Sequence, residues 1–286
     1  MSFDKFLEQA WADHGDKPEE VASRLDQGYA LIEDASQVAP FARILAHVDG
    51  EHLAHWNEGV ARLERLRAHG KWREDGDAAL VVRRLIAALQ LGGGEAVTGL
   101  AAADLAHAHA VAASALAAQH RLPDAIGHYR AARATAAAGL PDGEPAIRAL
   151  AVTSNNLAST LEEASSRSPA DTETMLDAAA TAREHWARAG GWLEVERAEY
   201  MLAKCHLAAG DAAGALRHAR ECVAICERND ADAFERFFAQ GVTAQAHRAL
   251  GDAAAFGAAK AAALTLYDAL PPDQRTWCEP MLKLLA

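Results

Sequence analysis

Aromatic residues make up only 6% of this chain, and cysteine occurs four times in 286 residues. Four thiols do not make a disulfide framework in a chain of this length. Cys222 and Cys226 are four apart, which on a helix places their Cβ atoms roughly 5–6 Å from each other, too far for a bridge. The cysteines are therefore read as reduced thiols. Basic runs are missing too: no stretch exceeds two consecutive cations, and 28 Lys and Arg face 40 Asp and Glu, for a formal charge of −12. Phosphate recognition needs clustered cations that replace counterions, so no nucleic-acid partner is expected. No window offers about 18 apolar residues without charge, and "MSFDKFLEQA" lacks a basic segment followed by an apolar one. The expectation is a cytoplasmic protein with no membrane segment. Alternating β-branched residues are scarce, which argues against strands.

What the chain has is alanine. Hydrophobic residues reach 51%, enough to exclude disorder by composition, and they come in runs such as "GLAAADLAHAHAVAASALAAQH". Alanine is the best helix former and lets neighbouring helices approach closely. The fold class expected is all-α.

A long all-helical chain is best searched for internal periods. The clearest unit is "AEYMLAKCHLAAGDAAGALRHARECVAIC", Ala198 to Cys226, in which Leu202, Ala203 and His206 precede a turn at Gly210 and Asp211, and Ala215, Ala219 and Cys222 follow it. Small residues mark where two antiparallel helices touch, and glycine suits the left-handed exit from the first helix. "TAQAHRALGDAAAFGAAKAAAL" repeats the pattern with Ala244, His247, Gly251 and Ala263, and the two turn glycines are 41 residues apart. Upstream, "NNLASTLEEA" with Leu157, Ala158 and Leu161 pairs with "TMLDAAATAREHWARAG". Earlier still, Ala113, Leu116, Ala125, Tyr129 and Ala132 match, with His120 in the place of the turn glycine. These units resemble tetratricopeptide repeats (TPRs). The period near 40 and the "NNLA" opening are similar to the variant repeats of kinesin light chains and MalT-like regulators, although the family tryptophan is absent from its position throughout.

The resemblance implies an α-solenoid, a TPR-like superhelix of about twelve to fourteen antiparallel helices. Residues 1–286 are expected to form a single solenoid: degenerate N-terminal hairpins over 1–76, TPR-like repeats over 77–270 and a C-terminal cap over 271–286. Within the first part, "PEEVASRLDQGYALIED" and "VAPFARILAHVDGEH" have helical spacing, "GKWREDGD" reads as a polar loop, and "DGDAALVVRRLIAALQL" reads as a helix ended by Gly92, Gly93 and Gly94. The end segment "TWCEPMLKLLA" carries Trp277, Met281, Leu282, Leu284 and Leu285, which must cover a solenoid end or a second copy of the chain.

Three stretches carry residues suited to chemistry. In "HVDGEHLAHW", His47, Glu51 and His55 recur every four residues with His52 between them, as a helix would hold a metal on one face. Two registers fit. A turn at Ala54 to Asn57 lets Trp56 open the next helix, with Gly59, Leu63 and Leu66 at packing positions, and breaks the face. A turn at Asn57 and Glu58 puts Gly50 at the small position and keeps the face intact. The first matches more positions and is preferred. His218, Cys222 and Cys226 also recur every four residues, with Cys205 and His206 on the partner helix, but buried small side chains explain the thiols better. "GGGEAVTGLAAAD" has phosphate-loop glycine spacing at Gly94 and Gly99, yet Leu100 and Ala101 stand where Lys and Ser or Thr are needed, so it reads as a helix stop and restart. No nucleophile elbow occurs. No metal, cofactor or catalytic residue is assigned, and the chain is expected not to be an enzyme.

The resemblance implies a concave groove lined by the first helix of each repeat. Carried over, its polar positions are Asn155, Asn156 and Ser159, then Arg197, Tyr200 and Lys204, then Gln245 and Arg248. Amides pair with a peptide backbone, and Arg or Lys holds a carboxylate. The function expected is therefore non-enzymatic binding of a protein or peptide partner, with a homodimer through the solenoid ends as a further option. The alternative is a regulatory domain that responds to a small molecule or metal bound inside the superhelix.

Overall fold

The computed structural model describes residues 1–286, with fourteen α-helices and no strand. The chain forms two compact units, Met1–Thr153 and Ser154–Ala286.

Unit 1 contains α1 (Phe3–Asp13), α2 (Pro18–Gly28), α3 (Val38–Ala46), α4 (Trp56–Arg67), α5 (Asp77–Gly92), α6 (Ala102–Ala118) and α7 (Leu122–Ala136). It also contains the first part of α8 (Pro145–Glu163). Between α3 and α4 the chain does not turn directly: His47–His52 form a π-helical segment. Its core packs the aromatics Phe3, Phe6, Tyr29 and Phe41 on Leu25, Leu45, Leu63 and Leu66. Buried Arg84 on α5 reaches Asp104 of α6 at 2.6 Å and Glu144 ahead of α8 at 2.7 Å. Two carboxylates on one buried guanidinium leave its charge compensated, which burial requires.

Unit 2 holds α8 from Ser154 onward, α9 (Pro169–Ala189), α10 (Trp192–Ala208), α11 (Ala212–Arg228), α12 (Ala233–Ala249), α13 (Ala253–Asp268) and α14 (Pro272–Leu285). Its interior is built from small side chains: Ala203 and Ala219 meet Val242, and Cys222 and Cys226 meet Ala239. All four cysteines are buried free thiols.

The turns expected from the sequence close in one way. Gly210 and Gly251 have φ of 79° and 75°, and Asp211 N–H and Asp252 N–H reach back to the carbonyls of His206 and His247 at 2.8 and 3.0 Å. This six-to-one bond satisfies a carbonyl that the ending helix leaves open. His120 adopts φ 57° in the same setting, with Arg121 N–H bonded to the Leu116 carbonyl at 2.9 Å. Each aspartate then caps the following helix: the Asp211 and Asp252 carboxylates accept the N–H groups of Gly214 and Ala255 at 2.9 and 3.0 Å.

At the C-terminal end, α14 packs on α12. Met281 side-chain atoms lie 2.8–3.2 Å from where a Cβ on Gly241 would stand, so a larger residue there would force Met281 to shift. Cys278, Met281 and Leu285 are buried there, while Trp277 (74%) and Leu284 (48%) remain open to solvent.

Candidate functional site

In unit 2 the polar positions carried over from the repeat resemblance fall on α8, α10 and α12. Asn156, Arg197 and Arg248 are exposed; Asn155, Ser159, Tyr200, Lys204 and Gln245 are half-buried. Cross-helix pairs link the three helices through these residues. Lys204 Nζ on α10 meets Glu162 Oε2 on α8 at 2.7 Å. Arg197 on α10 forms an ion pair with Glu235 on α12, and the Tyr200 ring meets Phe238 edge-on at 5.9 Å. The Ser159 hydroxyl donates to Glu163 at 3.1 Å. The last two positions are engaged by α14: Gln245 Nε2 donates to Met281 Sδ at 3.1 Å, and Arg248 donates to the Leu284 carbonyl.

Behind this surface lies a buried titratable cluster. Glu196 on α10 is 1% exposed, and its Oε1 has no hydrogen-bond partner. Burial, reinforced by the nearby Glu235 carboxylate, pushes its pKa up to about 8, against the smaller opposing effects of Arg197 and the Cys222 thiol. The Cys222 Sγ contacts the Glu196 backbone carbonyl at 3.6 Å, and burial drives its thiol pKa upward. Cys205 and Cys226 are likewise pushed up to about 12. His218 turns to the Glu199 carboxylate at 2.7 Å and stacks on His206 at 5.1 Å, while His206 Nδ1 faces Asp211 Oδ2 at 2.9 Å. His218 and Cys222 thus have separate partners, and with Cys226 they form no converging set of ligand atoms.

In unit 1 the stretch "HVDGEHLAHW" follows the first register at its turn and departs from α-helical geometry before it. The turn does fall at Leu53 and Ala54, with Ala54 at φ 54°, and Trp56 opens α4. His55 lies beyond that turn, so the face of His47, Glu51 and His55 is broken. The preceding segment, however, is π-helical: Leu53 N–H bonds to the Val48 carbonyl at 3.1 Å. In an α-helix residues five apart point about 140° away from each other; hydrogen bonds running from i to i+5 bring them one above the other instead. His47 and His52 therefore share a face, with their Nε2 atoms 3.2 Å apart.

A third imidazole joins them from α1. His14 caps the C-terminus of that helix, and one ligand atom from each of His14, His47 and His52 lies within 4.8 Å of the others. Ring centres are 4.9 Å apart for His14 and His47, 5.1 Å for His14 and His52, and 4.9 Å for His47 and His52. His14 Nδ1 donates to the Trp11 carbonyl at 2.5 Å, and His47 Nδ1 donates to Glu51 Oε2 at 3.3 Å. Burial on its own would raise the Glu51 pKa, but the hydrogen bond from His47 and the three surrounding histidines together lower it. His52 is lowered by burial first and by His47 and His14 next.

Buried contacts fix the segment from beneath. Asp49, fully buried, pairs through Oδ1 with Arg62 of α4 at 2.6 Å, and Nε2 of Gln119, which caps the end of α6, donates to the Glu51 backbone carbonyl at 2.7 Å. A Cβ on Gly50 would stand 2.7 Å from Leu89, so the close approach to α5 depends on that glycine. The stretch at Gly94 and Gly99 is the expected helix stop and restart, since α5 ends at Gly92 and α6 begins at Ala102.

Against solved structures, the chain aligns over 99% of its length with 70% of the apo form of RapI, at TM-score 0.57 and 10% identity. It aligns over 86% of its length with 91% of BtubC (BKLC) from P. vanneervenii, at TM-score 0.50 and 19% identity. The chain has a TPR-like helical-repeat fold. A putative kinesin light chain from Podosopora anserina with nearly identical TPR-like repeats aligns with 82% of this chain and 97% of its own, at TM-score 0.47 and 13% identity. No protein-family model matches the TPR-like chain, and no curated protein sequence does. No helix of this repeat protein is long and apolar enough to cross a membrane.

Proposed function

We propose that this TPR-like chain is a non-enzymatic, cytoplasmic binding module whose unit 2 presents Asn155, Asn156, Ser159, Arg197, Tyr200, Lys204, Gln245 and Arg248 to an extended segment of a protein partner. The observation that carries the reading is the set of cross-helix pairs, Lys204 with Glu162 and Arg197 with Glu235. They tie α8 to α10 and α10 to α12, which supports reading the polar positions carried over from the repeat resemblance as one row. A repeat scaffold suits such binding because each helix pair is held by its neighbours and the row is ordered before a partner arrives, which reduces the entropy lost on association.

The row has two chemistries. Asn155 and Asn156 offer paired donors and acceptors to a peptide backbone. Arg197 and Lys204 are cations already held by carboxylates, so an acidic partner group must compete with Glu235 and Glu162. At the far end Gln245 and Arg248 are bonded to Met281 and Leu284 of α14, so a partner segment must displace those bonds there, and we read residues 271–286 as a cap. A homodimer through exposed Trp277 and Leu284 is the alternative use of that end.

The test is capture of partners from the native cytoplasm by the wild-type chain and by a variant with Asn155 and Asn156 replaced by alanine, compared at matched thermal stability. Loss of the captured partners with an unchanged Tm is the expected result. Identical capture by both proteins would remove the row from consideration.

A further inference from the structure

The geometry points to a divalent transition-metal site in unit 1, of the zinc class, formed by the Nε2 atoms of His14, His47 and His52 and independent of the partner-binding row in unit 2.

The distances approach those such an ion imposes, with one pair of nitrogens at the required separation and all three ligand atoms within 4.8 Å of one another. Two nitrogens bound to a tetrahedral zinc at about 2.0–2.1 Å stand roughly 3.3 Å apart. The His47 and His52 Nε2 atoms are 3.2 Å apart. Adding the roughly 1.1 Å from a ring nitrogen to its ring centre puts ligand rings on one zinc about 5.2 Å apart. All three ring separations here are 4.9–5.1 Å. A hydrogen bond between two neutral imidazoles accounts for one pair of rings, but it gives no reason for a third ring at equal distance from both.

The outer contacts also fit. Metal-binding imidazoles commonly donate their second N–H to a carbonyl or carboxylate, which fixes the tautomer and turns the lone pair inward. His14 does so through Nδ1 to the Trp11 carbonyl, and His47 through Nδ1 to Glu51. The Glu51 carboxylate then supplies a negative charge beside the cation. Three protein ligands leave a tetrahedral ion with one open position. The three histidines are half-buried, and Trp11, 38% exposed, lies 5.1 and 5.2 Å from His14 and His47 as one wall of the opening. Departure from α-helical geometry between His47 and His52 is what aligns these two ligands, and π-helical insertions recur at functional sites for this reason.

The other histidine pairs do not compare. His109 and His128 meet through Nδ1 atoms 2.9 Å apart, and His206 and His218 stack; neither pair has a third ligand atom converging on it.

The experiment uses the full chain without a histidine tag, stripped with chelator and titrated with Zn2+ by calorimetry and with Co2+ by visible absorption. One equivalent of each ion is expected, with the intense absorption of tetrahedral cobalt. His14→Ala and His52→Ala each abolish that stoichiometric binding, Glu51→Gln weakens it about 10–100-fold, and His55→Ala leaves it unchanged. Absence of stoichiometric binding to the wild-type chain would overturn the site, as would retention in His14→Ala or equal loss in His55→Ala. Should a histidine variant fail to fold, long-range nitrogen–proton spectra of the wild-type chain decide the matter. Zinc must shift the Nε2 resonances of His14, His47 and His52, and a response confined to other histidines would refute the assignment.

Discussion

Replacing Glu196 with glutamine should remove most of the pH dependence of unit 2 stability. Glu196 is buried on α10, faced by Glu235 from α12 and the Cys222 thiol from α11, with Arg197 as its neighbour. Its pKa rises from 4.5 to about 8 in the folded chain. Between those values the unfolded chain has released the proton and the folded chain retains it, so stability falls as pH rises and is flat above pH 8. A separation of about 3.5 units at about 1.4 kcal/mol per unit gives a loss of about 5 kcal/mol at most. The variant keeps the shape without the charge. The assay is urea unfolding at pH 5, 6.5 and 8.5, with hydrogen exchange in α10 and α11 peptides as the readout local to unit 2. The wild type should lose several kcal/mol across the series relative to Glu196→Gln, leaving the variant the more stable protein at pH 8.5. Parallel profiles for the two proteins would refute the burial argument.

The turns give a paired test: Gly210→Ala and Gly251→Ala, at φ of 79° and 75°, should each cost about 1 kcal/mol, whereas Gly127→Ala, in open space on α7, should stabilise by about 0.5–1 kcal/mol; thermal melts distinguish them. Arg62→Met leaves Asp49 buried without its cation and should destabilise unit 1 by about 3–5 kcal/mol in urea unfolding, with Asp49→Asn in the same background recovering part of the loss. The thiols of Cys205, Cys222 and Cys226 should resist a disulfide reagent at pH 8 in the native chain and react at once in urea, because burial disfavours the thiolate in each.

The repeat architecture was legible because its punctuation is local. A glycine two or three residues past the last apolar position, followed by an aspartate, specifies both the left-handed exit and the next helix cap, and Gly210–Asp211 and Gly251–Asp252 do this as the spacing predicts. His120 was legible through the period alone, since the turn it makes is normally a glycine's. The turn near Ala54 and the start of α4 at Trp56 followed from counting packing positions. The histidine cluster was not legible. His14 lies 33 residues before His47, and nothing in "WADHGD" announces that the end of α1 will rest beside the end of α3. The π-helical register is also tertiary in origin: the buried Asp49–Arg62 pair and the close pass of Gly50 over Leu89 hold it, and neither partner lies within the segment. α-Helical spacing groups His47 with Glu51 and His55, whereas the i to i+5 spacing of the folded segment groups it with His52.

The proposed partner row is tested most directly by site-specific photocrosslinking in the native cytoplasm, with the crosslinking residue placed at Asn156 on α8 or at exposed Arg220 on α11. A defined crosslinked partner is expected from position 156 and none from position 220; a partner captured from 220 with nothing from 156 would contradict the assignment of the row.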